Sequence, residues 1–76
     1  SEIYLKPAGA YVCPGQPINF YTVVEAALRR DEVAFGYRRM SQANDPQQIY
    51  GVVLNPDKAA PLQLSEQDRI IVLARS

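Results

Sequence analysis

Residues 19–30 carry a clear helical period, and that constrains what the rest of the chain can be. Phe20, Val23, Val24, Ala27 and Leu28 recur at i, i+3, i+4, i+7 and i+8, which makes a single apolar stripe. Tyr21, Thr22, Glu25, Arg29 and Arg30 fall elsewhere on the wheel. Asn19 can accept a hydrogen bond from an orphan N–H of the first turn, and Ile18 and Val23 occupy the two positions of a hydrophobic staple. Arg29 and Arg30 suit the negative end of the helix dipole. A helix with one apolar stripe must bury it against a second layer.

The second layer is read from segments of period two. Ile3-Tyr4-Leu5 predicts a short strand that stops at Pro7, which has no N–H for a ladder. Residues 7–17 hold three prolines and two glycines and read as a loop, with Tyr11-Val12 pinning it to the body. Val33, Phe35 and Tyr37 alternate with Ala34, Gly36 and Arg38, a strand with one small face. Asn44-Asp45-Pro46 marks a turn, residues 50–54 a third strand, and Asn55-Pro56 its stop. Residues 59–67 read as loop with a short extended piece at 62–64. Ile70-Ile71-Val72-Leu73-Ala74 is a nearly unbroken apolar run, which predicts a central strand covered on both faces. The expected fold is α+β: one helix packed on a small, mostly antiparallel four-stranded sheet, in the order strand-helix-strand-strand-strand.

Seventy-six residues allow one domain, 1–76, and one core. A chain of this size buries only about 60% of the surface its unfolded form exposes. The lone Cys13 cannot form an internal disulfide, and no Cys or His stands by to complete a zinc site with it. Pairing into a homodimer is therefore the expected supplement to stability. Ser1 in place of Met reads as a fragment excised from a longer protein. No apolar run approaches the roughly 18 residues of a membrane span, so the piece itself is expected to be soluble.

Eight Lys and Arg balance eight Asp and Glu, which argues against a nucleic-acid partner, since such binders need a basic excess to displace counterions. The absence of histidine removes the usual general base, the usual metal ligand and every Ser-His or Cys-His pair. Glu25, Asp31, Glu32, Asp45, Asp57, Glu66 and Asp68 fall at helix surface, turns and strand edges, where solvated or capping roles are expected. No glycine pattern forms a phosphate loop. The reading is a non-catalytic domain without cofactor or metal.

Arg38 and Arg39 are the candidate ligand-binding residues, because guanidinium forks suit phosphate and carboxylate. Strand alternation puts Arg38 on the small face of Ala34 and Gly36, which leaves room for a ligand, and Arg39 on the Val33 face. Arg29 and Arg30 read as solvated helix-end charges. Among five tyrosines, Tyr21 and Tyr37 are the candidates for a dimer interface, where a ring packs while its hydroxyl stays wet.

Val52-Val53-Leu54-Asn55-Pro56-Asp57-Lys58, followed after a spacer by Leu64-Ser65-Glu66-Gln67-Asp68-Arg69-Ile70-Ile71-Val72-Leu73-Ala74, resembles the C-terminal subdomain of regulator-of-potassium-conductance modules, the TrkA-C domains. Gly36-Tyr37-Arg38-Arg39 is similar to that family's second strand. With Asn19-Phe20-Tyr21-Thr22-Val23-Val24-Glu25-Ala26-Ala27, the chain looks most like the version in Castor/Pollux-type ion channels. The resemblance spans residues 19–74. It implies a cytoplasmic regulatory module of a potassium or other cation channel or transporter, attached to other domains of a parent membrane protein. It also implies a homodimer and a small anionic or nucleotide-like ligand held near Arg38 and Arg39. Asn55 would shape a turn rather than touch ligand. A homodimeric interaction domain without ligand is the alternative.

Overall fold

A computed structural model describes residues 1–75. Strand β1 (Glu2–Pro7) is followed by a 3-10 turn and a loop, helix α1 (Phe20–Leu28), strand β2 (Val33–Arg38), two further 3-10 segments, strand β3 (Val52–Leu54) and strand β4 (Arg69–Ala74). The sheet order is β1-β4-β2-β3, every neighbour antiparallel, so the α+β architecture matches the expectation. The apolar run of β4 lies inside the sheet, as its composition requires.

The helix starts as predicted: the Asn19 side chain accepts from the Thr22 N–H, and the half-buried Ile18 packs against the core cluster to which Val23 belongs. Its end is set by Asp31, which adopts a left-handed conformation (φ 59°). The Glu32 N–H then returns to the Ala27 carbonyl and the Asp31 N–H to that of Leu28, each at 3.0 Å. This Schellman closure turns the chain directly into β2. The buried face is Phe20, Val23, Ala26 and Ala27. The stripe is thus rotated from the predicted one: Ala26 is in the core and Leu28 is exposed.

One side of the sheet meets the helix. Ile70, Val72 and Ala74 of β4 face it, with their cross-strand neighbours Ala34 and Tyr37. Simple alternation would have put Ala34 and Tyr37 on opposite faces. A register shift between Ala34 and Gly36 bulges the strand at Phe35 and brings both to the core side. Tyr37 stacks at a tilt on Phe20, centroids 6.2 Å apart.

The predicted third strand is shorter than expected. Residues 46–51 form a 3-10 segment interrupted by Ile49 (φ 53°) and Tyr50 (φ 55°), both left-handed, and pairing begins only at Val52. Ile18 and Leu62 exchange both backbone hydrogen bonds, which accounts for the extended piece expected at 62–64 and ties the helix entry to the last loop.

Candidate interaction surface and binding cleft

Cross-strand partners share a face. From the register, Ile3 faces Leu73, Leu73 faces Val33, Leu5 faces Ile71, Ile71 faces Gly36, and Gly36 faces Leu54. These residues therefore form the side of the sheet that the helix does not cover. Ile71 at its centre is buried, but Ile3, Leu5, Val33, Leu54 and Leu73 remain 39–62% exposed. The expectation that β4 is covered on both faces is corrected: α1 covers one face, and the other is an apolar surface open to solvent. Contiguous exposed apolar surface of this kind marks an interaction site more often than chance decoration.

The predicted ligand pair is separated by the pleat. Arg38 lies on the open side, opposite Arg69; the bulge leaves it on the face of Gly36 and Val33 rather than on that of Ala34, which turns to the core, so the expected faces of Arg38 and Arg39 are corrected. Its Nε donates to the Tyr50 carbonyl at 3.0 Å and a terminal nitrogen to that of Ala43 at 3.3 Å. The guanidinium therefore clasps the 39–51 excursion, whose turn is also fixed by Asp45 accepting from the Gln47 N–H. Arg39 lies on the other side. It stacks over the Tyr37 ring at 5.4 Å, donates to the Gln63 carbonyl at 3.0 Å and stands 3.8 Å from Asp68.

Arg39 rims a cleft of about 650 Å³ with Gly15, Ser41, Gln63, Ser65 and Glu66. Asp68 also lines it. Buried almost completely, its carboxylate accepts from the Met40 and Ser65 N–H groups and so joins the strand β2 exit to the turn before β4. The cleft mixes polar and apolar lining and carries one guanidinium, of Arg39, against two carboxylates, Glu66 and Asp68.

Tyr21 is exposed on the helix, as an interface residue must be in a free chain. Tyr37 is packed against Phe20 and Arg39 and has little surface to offer a partner. Cys13 is exposed. Among the described residues no group of three or more His, Cys, Asp or Glu is placed to hold a metal, and no helix is long and apolar enough to cross a membrane.

A polar cluster missed by sequence reasoning sits at Glu32. This nearly buried carboxylate is bridged by Lys6 from β1, accepts the Tyr11 hydroxyl at 2.6 Å and lies 3.4 Å from Arg30. Burial pushes its carboxyl up, but the hydrogen bonds from Lys6 and Tyr11 and the charges of Lys6 and Arg30 outweigh that and hold it below the ordinary value. Burial, then the bond to Glu32, pushes the Tyr11 phenol up to about 12. No sequence signal marks this cluster, because Lys6 and Tyr11 meet Arg30 and Glu32 only through the fold. No protein-family model matches the chain, and no curated protein matches it.

Proposed function

We propose that this domain is a non-catalytic interaction and regulatory module that works as a homodimer, in a potassium or other cation channel or transporter. The observation that carries the interaction reading is the open apolar face of Ile3, Leu5, Val33, Leu54 and Leu73. A domain this small gains from covering such a surface, either with a second copy or with the parent protein's other domains. The channel assignment rests on the family resemblance of residues 19–74. Ligand sensing falls to Arg39, which rims the cleft, rather than to Arg38. The encoding reading frame tests the assignment: membrane spans and a nucleotide-binding fold upstream are expected, and a frame without a membrane span overturns it.

A ligand-free homodimeric module is the second reading. It is favoured by the engagement of both arginines with backbone carbonyls, which leaves fewer donors for an anion. Titrating the wild type and Arg39→Ala with nucleotides and cyclic dinucleotides separates the two. Binding lost in the variant supports ligand sensing at the cleft, and no binding by the wild type leaves the ligand-free module.

A further inference from the structure

Strand β1 lies at one edge of the sheet, paired only with β4. The Ala8 N–H donates to the Asp68 carbonyl at 3.0 Å in the same register. Hydrogen-bonded pairs alternate along an antiparallel ladder, so the even residues of β1 spend their backbone groups on β4. The N–H and C=O groups of Ile3 and Leu5 then point out of the sheet toward the free edge. An unprotected edge of this kind is a template for another strand.

The sequence of that edge is complementary to itself. Read antiparallel about Tyr4, Glu2-Ile3-Tyr4-Leu5-Lys6 sets Glu2 against Lys6 of a second copy, Ile3 against Leu5, and Tyr4 against its own image. Shifting the strands by two residues keeps the backbone phase but loses the pairing of opposite charges. Only the register centred on Tyr4 pairs both charges, matches both aliphatic residues and forms four backbone hydrogen bonds between Ile3 and Leu5. Glu2, Tyr4 and Lys6 already lie along one face, with the Tyr4 hydroxyl on Glu2 and the Lys6 ammonium over the Tyr4 ring.

We infer that two copies of this chain join β1 to β1 across a two-fold axis at Tyr4, making one continuous eight-stranded sheet. This rests on the homodimer reading above but joins the copies at the sheet edge, leaving the open apolar face for the parent protein's other domains. The pairing is isologous, as a two-fold interface must be, and it doubles the open apolar face into one surface through the Ile3 and Leu5 positions.

Disulfide trapping in the full chain, with Cys13→Ser to remove the exposed thiol, tests the register. At the axis, opposed non-hydrogen-bonded residues stand about 4.5 Å apart at Cα, within disulfide reach. Tyr4→Cys should therefore cross-link on mild oxidation. Leu5→Cys places its two copies on a diagonal of about 7–8 Å and should link poorly. Glu2→Lys sets like charges opposite each other at both ends and should weaken the dimer about tenfold, with the loss shrinking as salt rises. A wild-type dimer in which a folded Tyr4→Cys chain does not link, or in which Leu5→Cys links as fast, overturns the edge geometry while leaving the dimer. If Tyr4→Cys does not fold, a dimer unaffected by Glu2→Lys overturns it equally. A monomeric wild type removes the dimer reading itself.

Discussion

The Tyr11 hydroxyl donates to Glu32 Oε1 at 2.6 Å, joining the proline-rich loop to the turn between α1 and β2. Because Lys6 of β1 bridges the same carboxylate, one buried charge fastens an edge strand, a loop and the helix end together. Removing it leaves Lys6 without its partner in a half-buried site. Glu32→Gln should cost about 3 kcal/mol in urea denaturation, within the range for breaking a buried pair. A loss under about 0.5 kcal/mol would show the cluster to be idle.

The same cluster should make stability depend on pH at both ends of the range. Glu32 is held below its ordinary value of 4.5, so its contribution is present above that pH and is lost as pH falls through the lowered folded value. Tyr11 is raised from 10.0 to about 12, so its contribution is present below pH 10.0 and is lost as pH rises toward 12. Melting curves across pH should show both limbs in the wild type. Tyr11→Phe should lose part of the alkaline limb, and Glu32→Gln part of the acid limb.

Ile49, Tyr50 and Gly51 are consecutive left-handed residues, and only one is glycine. A Cβ on Gly51 would lie 2.2 Å from the Arg39 carbonyl oxygen. Gly51→Ala should therefore destabilise by about 2 kcal/mol or more, through strain and close approach together. Ile49 is exposed and β-branched, so Ile49→Gly should stabilise by up to about 1 kcal/mol. Thermal melts of the two variants should move in opposite directions.

Arg38 bridges the Tyr50 and Ala43 carbonyls. A lysine cannot reproduce that fork. Arg38→Lys should keep the fold but speed hydrogen exchange across residues 39–51, leaving β4 protected. Unchanged exchange in that segment would show the clasp to be dispensable.

Residues 19–30 and 70–74 show what the sequence could tell. The cap, the helix start and the internal position of β4 were legible because each depends on local chemistry or bulk hydrophobicity. The phase of the helix stripe was not, because Ala26 and Leu28 exchange roles only once the sheet decides which side is covered. Ala27→Leu should overpack and destabilise by about 1–3 kcal/mol. Leu28→Ala should stay within about 0.5 kcal/mol. The faces of β2 were half legible, since a bulge at Phe35 leaves no mark in alternation. Of the arginine pair, the residue types were legible and their partners were not. Arg38 and Arg39 bond to carbonyls 5–24 residues away, and no local pattern encodes that.

Sedimentation equilibrium of the wild-type chain decides whether a domain with an open apolar face and a self-complementary edge associates with itself. A species of twice the chain mass is expected at about 0.1 mM protein, dissociating on dilution. A single species of one chain mass up to about 1 mM would contradict it.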